Sequence, residues 1–97
     1  MASYIVLFQF TEQGVRNVKD SPKRAVAAAE TANKIGVKVT DMFWTMGAYD
    51  GVLLADAPND EAMTAFALSV AALGNIKTQT LPAFRAREFD TILKKMA

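Results

Sequence analysis

The side chains best placed to do chemistry are Tyr49 and Asp50, which follow Gly47-Ala48 in a segment typical of a turn. A turn can hold a phenol and a carboxylate together at the rim of a sheet, with the Thr45 hydroxyl near enough to bond Asp50 across the strands. In that arrangement Asp50 would serve as a base and Tyr49 would position a substrate. In the structural alternative these residues only build the turn: Gly47 adopts a positive φ, Tyr49 lies at the rim of the sheet, and Asp50 accepts hydrogen bonds within the turn.

Asp41 is a second candidate base because it lies in a mostly apolar segment, where burial without a cation favours the protonated carboxyl. Exposure of Asp41, or an ion pair with Lys77 or Arg85, is the structural alternative. Arg85 also follows the last predicted strand, where with Arg87 it could clamp a carboxylate or phosphate. Acidic neighbours in the sequence make surface ion pairs the ordinary interpretation of these two arginines.

Thr78 and Thr80 lie two residues apart in the last predicted strand, so both hydroxyls would point to the same face of the sheet and into one cavity. Threonine is also an ordinary strand residue, which is the structural alternative. The predicted hairpin adds three candidate ligand contacts, Phe43, Trp44 and Thr45. The chain has no glycine-rich phosphate loop, nucleotide-binding fingerprint or acidic metal cluster. We therefore expect no cofactor and no bound metal.

Histidine and cysteine are absent from all 97 residues. Their absence excludes disulfides, thiolate or imidazole metal ligation, Ser-His-Asp and Cys-His triads, and a haem held by histidine or cysteine. The length and the 52% hydrophobic content fit a single domain over residues 1–97. Because the formal net charge is only +1 and residues 39–76 carry no lysine or arginine, we expect no nucleic-acid partner.

Charge is unevenly distributed along the chain: residues 39–76 carry five acids and no base, and residues 77–97 carry five bases and two acids. Such segments could form complementary patches between subunits, or could be solvated charge with no specific role. The longest uncharged run, 62–76, has 15 residues and is shorter than a membrane helix, and the apolar N-terminus lacks the features of a signal peptide. We expect a cytoplasmic protein without a membrane partner.

Turn and cap signals divide the chain into alternating strands and helices. Ser21-Pro22 and Gly36 bound the first helix, and the acidic segment 58–61 begins the second. The predicted elements are strand 4–10, loop 14–20, helix 21–35, strands 37–46 and 49–55 joined by a two-residue turn, helix 58–73, strand 76–84 and a final helix 85–96.

This order predicts an α+β ferredoxin-like βαββαβ fold, an antiparallel four-stranded sheet with two helices on one face and a short C-terminal helix. Because alternate residues of a hairpin face opposite sides of the sheet, Trp44 and Tyr49 are expected on the helix face, and Trp44 is expected to lie over Gly51. Asp41 is expected on the other face. Strand 4–10 is apolar on both faces, so we expect a second copy to cover the open face. The expected assembly is a homodimer, a sheet-to-sheet dimeric barrel, which could build a higher oligomer.

Three spaced motifs occur in the chain: Gly47-Ala48-Tyr49-Asp50, the acidic helix start at residues 57–62, and Gly-Asn-x-x-Thr-x-Thr at residues 74–80. Together they resemble the GYD domain family, which belongs to the dimeric α+β barrel group. The resemblance covers nearly the whole chain. It implies the fold and dimerisation, and it supplies no reaction.

Two classes of function follow from these observations. The first is a small-molecule-binding or assembly module that uses the cavity between the sheets of a dimer. The alternative, taken from similar barrels, is a cofactor-independent oxygenase or isomerase acting on a small, often aromatic substrate. In that case Asp50 or Asp41 would be the base, and Tyr49 or Trp44 would position the substrate.

Overall fold

The computed structural model describes all 97 residues of the chain. The strands are β1 (Ala2–Phe10), β2 (Lys38–Trp44), β3 (Gly51–Ala57) and β4 (Ile76–Ala83), and the helices are α1 (Glu12–Arg16), α2 (Ser21–Ile35), α3 (Asp60–Ala71) and α4 (Ala86–Leu93). The four strands form one antiparallel sheet in the order β2-β3-β1-β4. This order confirms the predicted α+β ferredoxin-like fold.

The core lies between the sheet and the helices α2 and α3. Alternate residues of β1 point into it, because successive side chains of a strand face opposite sides. Tyr4, Val6 and Phe8 are each at most 5% exposed. The other buried core residues come from β3, the residue before β2, α2 and α3: Leu53, Ala55, Ala57, Val37, Ala32, Met63 and Phe66. We call this side of the sheet the inner face.

The helix boundaries follow the capping signals in the sequence. Gly36 ends α2 in the left-handed conformation at φ 86°, as predicted. Asn59 begins α3, because its side-chain Oδ1 accepts a hydrogen bond from Ala62 N at 2.9 Å. The bounds of α2 agree with the predicted helix 21–35, but Ser21 does not cap it, since Ser21 is already helical and Asp20 precedes the helix without a side-chain cap.

The predicted loop 14–20 is largely helical. It contains part of α1 and a 3-10 turn at Val18–Asp20. Thr11 caps α1, because its Oγ1 accepts from Gly14 N at 3.1 Å. A helix of five residues is too short to produce a detectable hydrophobic period, which is why the sequence pattern missed it.

The β2-β3 hairpin has the predicted register from Asp41 opposite Leu54 to Trp44 opposite Gly51. The predicted two-residue turn is wrong, because the paired strands end at Trp44 and Gly51 and residues 45–50 form a wider loop. Within that loop Thr45 N still donates to Asp50 O at 2.9 Å. An irregularity between Val39 and Asp41 shifts the register at the start of β2.

The opposite side of the sheet, which we call the outer face, is not covered by any helix of the chain. Its side chains are the alternate residues of each strand, and they mix apolar and charged groups. The apolar ones are Ile5, Leu7, Phe43, Val52, Leu54 and Leu81. Phe43 is 52% exposed and Leu81 is 37% exposed, so the single chain leaves a broad apolar surface in contact with water.

The C-terminal helix α4 makes few contacts with the rest of the fold. Phe89 and Leu93 lie four residues apart on one stripe of this helix and are 51% and 45% exposed. Phe84, in the link between β4 and α4, is 58% exposed. None of the helices combines the length and the apolar character that crossing a bilayer requires.

Candidate functional site

The 45–50 loop folds onto the outer face and is held there by side-chain hydrogen bonds. Asp50 Oδ2 accepts from Phe10 N at 2.7 Å, beyond the point where β1 and β3 cease to pair. Tyr49 OH donates to Gln79 Oε1 of β4 at 2.9 Å. Gln9 Nε2 donates to Ala48 O at 2.8 Å. These bonds join the loop to β1 and β4.

This geometry assigns structural tasks to the residues first considered for chemistry. Gly47 has φ 108°, a conformation that favours glycine, and Asp50 accepts a backbone hydrogen bond. Thr45 Oγ1 donates to Tyr49 O at 2.7 Å, so its expected bond to Asp50 is not formed. Tyr49 reaches the outer face, and its predicted position on the helix face was wrong. A catalytic role for Tyr49 and Asp50 stays a prediction.

Asp41 lies exposed on the outer face of β2 and forms no ion pair. Of the two structural alternatives for Asp41, the single chain shows exposure and not the ion pair with Lys77 or Arg85. Arg85 Nη1 instead lies 3.6 Å from Asp56 Oδ1 and contacts Ser3 Oγ, at the end of the sheet opposite the 45–50 loop. Asp41, Asp50 and Arg85 do not converge on one site.

The predicted ligand contacts are also distributed over several surfaces. Trp44 and Thr78 line one cavity of about 130 Å³ between α2, α3 and the inner face. Thr78 and Thr80 together line a neighbouring, more open cleft of about 310 Å³ beside α3 and β4, so both threonines face one cavity as expected. Phe43 lies on the outer face, and Thr45 lies in the 45–50 loop. The predicted cavity between sheets requires a second copy and stays a prediction.

The 130 Å³ cavity, which we call the inner cavity, has a mostly apolar lining. The ring of Phe8 lies against Gly51, where a Cβ atom would be 2.0 Å from Phe8 Cζ. Phe8, rather than Trp44 as predicted, fills the space above this glycine. Arg24 also lines the inner cavity, and its guanidinium donates to Asn17 O at 2.9 Å and to Ser21 Oγ at 3.2 Å.

The cleft beside α3 contains a polar pair that the sequence did not reveal. Tyr4 OH donates to Asp60 Oδ1 at 2.5 Å, although Tyr4 is only 3% exposed. The hydrogen bond to Asp60, together with burial and the nearby negative charge, raises the pKa of Tyr4 to about 12. No local signal could identify this pair, because 56 residues separate its members.

The Gly-Asn motif at residues 74–75 also has a structural explanation. Thr11 Oγ1 donates to Gly74 O at 2.6 Å, and Thr11 N donates to Asn75 O at 3.1 Å. Gln13 Nε2 donates to Asn75 Oδ1 at 3.0 Å. Gly14 of α1 packs so closely here that a Cβ atom on it would lie 2.0 Å from Asn75 O. The motif therefore joins α1 to the start of β4.

No three acidic side chains of the chain converge into a group that could hold a metal ion. The cavities and the outer face remain as candidate binding surfaces. Their titratable groups are Arg24 at the inner cavity, the Tyr4 and Asp60 pair in the cleft, and charged side chains at the sheet edges.

Comparison with known proteins identifies one family and two similar proteins. The GYD domain model matches residues 4–93. The "Glutamine synthetase and cystathionine beta-lyase binding protein" of Thermus thermophilus is 28% identical over 95 residues, which are 97% of this chain and 100% of that protein. The crystal structure of TTHA0845, also from Thermus thermophilus, superposes with a TM-score of 0.58 at 24% identity, covering 89% of this chain and 96% of that one. This second likeness supports the fold alone.

Proposed function

This chain belongs to the GYD domain family, and we propose that it is a small protein-binding and assembly module that works as a homodimer. The two copies pack through the outer faces of their sheets. The observation that carries the proposal is the uncovered apolar surface formed by Ile5, Leu7, Phe43, Val52, Leu54 and Leu81.

The apolar surface supplies the driving force for this dimer. Fully burying one large apolar side chain contributes about 1.5–3 kcal/mol relative to leaving it in water. Within the single chain Leu7 and Val52 are only partly buried, so burying the rest of each side chain in a dimer contributes part of this free energy. Two sheets packed face to face about 10 Å apart would remove these side chains from water.

The distribution of side chains over the outer face favours a second copy as its occupant. The charged residues Asp41 and Lys77 lie on the edge strands β2 and β4, whereas Ile5, Leu7 and Val52 lie on the central strands β1 and β3. A two-fold axis parallel to the strands places β2 of one copy opposite β4 of the other, so the apolar centres of the two sheets meet.

The exposed helix α4 extends the proposed interface. It follows β4, which is an edge strand, and its apolar residues Phe89 and Leu93 have few contacts within the chain. From this position α4 reaches the second copy beyond the sheet edge. We propose that Phe84 and the apolar stripe of α4 pack against that copy.

The relative from Thermus thermophilus supports the protein-binding part of the proposal. Its name states that it binds glutamine synthetase and cystathionine beta-lyase, and its sequence aligns with 97% of this chain. We propose for this chain the same class of partner, other proteins bound by the assembled dimer. Native mass spectrometry with the two corresponding purified enzymes tests this part, and binding to neither would limit the module to self-assembly.

The test of the dimer is sedimentation velocity on the wild-type chain and two matched variants. Val52→Glu places a charge in the outer face, whereas Val26→Glu makes the same change on the exposed side of α2, where Val26 is 61% exposed. We expect the wild type and Val26→Glu to be dimers and Val52→Glu to be a folded monomer by circular dichroism. A monomeric wild type, or a Val52→Glu dimer of unchanged affinity, would contradict the proposal.

The enzymatic alternative receives no support from the geometry of its proposed groups. Asp50 Oδ2 bonds a backbone amide and the Tyr49 hydroxyl bonds Gln79. A cofactor-independent reaction on a small aromatic substrate therefore stays a prediction from the sequence. Turnover of such a substrate that persists in Asp50→Asn and Tyr49→Phe would eliminate the predicted roles of both residues.

A further inference from the structure

The inner cavity is a space that the chain could have filled. Protein interiors are packed at high density, with few voids larger than a water molecule. The inner cavity, of about 130 Å³ between α2, α3 and the sheet, is several times that size, and it is partly open to water because Trp44 and Leu73 of its lining are 46% and 65% exposed. It arises because α2 presents Ala25 and Ala28 to it rather than larger side chains.

Most of the remaining lining is apolar. The sheet contributes Phe8 and Trp44, and α3 contributes Phe66 and Val70. An apolar cavity of about 150 Å³ is large enough to bind a molecule such as benzene. The volume and lining of the inner cavity therefore suit an apolar group of about the size of one six-membered ring.

One cation lies at this cavity without an acidic partner. Arg24 is partly buried, and the two ion pairs of the chain involve other arginines. Its two hydrogen bonds go to neutral oxygens, of Asn17 and Ser21, through one nitrogen each. A guanidinium has five N–H donors, so three remain for another acceptor.

We propose that the inner cavity binds a small monocarboxylate whose apolar part is about as large as a benzene ring. The carboxylate accepts hydrogen bonds from Arg24, and the ring lies among Ala28, Trp44 and Phe66. A singly charged anion matches the single cation. Because this cavity is lined by α2, α3 and the inner face, the proposal is independent of the dimer formed through the outer face.

Titration with phenylacetate tests the site, and the fluorescence of Trp44 reports binding because Trp44 is the only tryptophan. We expect Arg24→Gln to weaken phenylacetate binding by about tenfold or more, since it removes the charge that pairs with the carboxylate. The matched control is Arg16→Gln, which changes an exposed arginine of α1 and leaves the affinity as it is.

Toluene separates the two parts of the site, because it has the ring without the carboxylate. We expect toluene to compete with phenylacetate in the wild type and to bind equally well to Arg24→Gln. Ala28→Leu fills the cavity and should prevent binding of both, and the competition test remains decisive if this variant fails to fold.

Three results would overturn the proposal. The first is that neither compound binds to the wild type. The second is phenylacetate affinity that is the same in Arg24→Gln as in the wild type. The third is that toluene binds without displacing phenylacetate. None of these results bears on the oligomeric state, so a failure here is distinguishable from a failure of the dimer.

Discussion

Asp50 carries the hydrogen bond that fixes the 45–50 loop to the end of β1. Beyond the pairing of Phe8 with Gly51, β3 offers β1 no further backbone partner, and the Asp50 carboxylate accepts from Phe10 N in its place. Asp50 N donates in turn to Phe8 O at 2.9 Å. One residue thus satisfies both a donor and an acceptor of β1, which gives the aspartate of this motif a structural purpose.

Replacing Asp50 by alanine removes the acceptor for Phe10 N. Hydrogen bonds to charged groups contribute about 1.5–3 kcal/mol, and partial exposure reduces that value, so we expect a loss of about 1–2 kcal/mol in the free energy of unfolding. Urea denaturation measures it. Glu30→Ala is the control, because Glu30 is exposed on α2 and has no side-chain hydrogen bond. Equal losses in both variants would contradict this role of Asp50.

The pair of Tyr4 and Asp60 predicts a change of stability at alkaline pH. The pKa of Tyr4 is raised from 10.0 to about 12, so the folded state holds its proton more tightly than the unfolded chain does. The stabilisation is complete below pH 10. Between about pH 10 and 12 only the unfolded chain ionises, so the stabilisation falls and is lost above pH 12.

Two measurements check this prediction. Tyrosinate absorbance of the folded chain should include a step near pH 12 that is missing in Tyr4→Phe and present in Tyr49→Phe. The difference in unfolding free energy between the wild type and Tyr4→Phe should shrink over the same range. A difference that is constant through pH 12 would show that Asp60 and burial do not hold the proton on Tyr4.

At the scale of elements, α1 and the start of β4 form one corner of the fold. Thr11 and Gln13 form side-chain and backbone hydrogen bonds with Gly74 and Asn75, and Gly14 packs against Asn75. This contact explains how a helix of only five residues keeps its position, because a helix this short is not stable by itself.

Gly14→Ala should disrupt this corner. The added Cβ atom would lie 2.0 Å from Asn75 O, so the backbone of α1 or β4 must move, and overpacking of this kind costs about 1–3 kcal/mol. Gly36→Ala is the comparison, since its Cβ meets nothing within 4 Å and it suffers only the strain of φ 86°, about 1 kcal/mol. Thermal denaturation should rank Gly14→Ala below Gly36→Ala, and the reverse order would contradict the close contact.

At the scale of the whole molecule, the proposed dimer explains why β1 is apolar on both faces. Tyr4, Val6 and Phe8 pack against the helices, whereas Ile5 and Leu7 belong to the outer face. The Cα atoms of the single chain extend 50 × 31 × 18 Å, with the outer face as one broad side. A second sheet on that side would turn a two-layer domain into a four-layer dimer.

Much of the fold could be predicted from local sequence signals. Gly36, Asn59 and the alternation in β1 act within a few residues of where they stand, so they identify the ends of α2 and α3 and a central strand. The hairpin register was predictable as well, because counting residues outward from the expected turn places Trp44 opposite Gly51. The loop that joins the strands was not, because its bonds go to Gln9, Phe10 and Gln79, which are distant in sequence.

The sequence by itself determined the order of the four strands and of α2, α3 and α4, the family, and the chemistry excluded by the absence of histidine and cysteine. Only the tertiary structure decided that Tyr49 and Asp50 form hydrogen bonds with β4 and β1, that Tyr4 donates to Asp60, and that Arg24 lines an apolar cavity. The physical reason is distance along the chain. Caps and strand alternation depend on neighbouring residues, whereas a site depends on side chains that only the packed fold brings together.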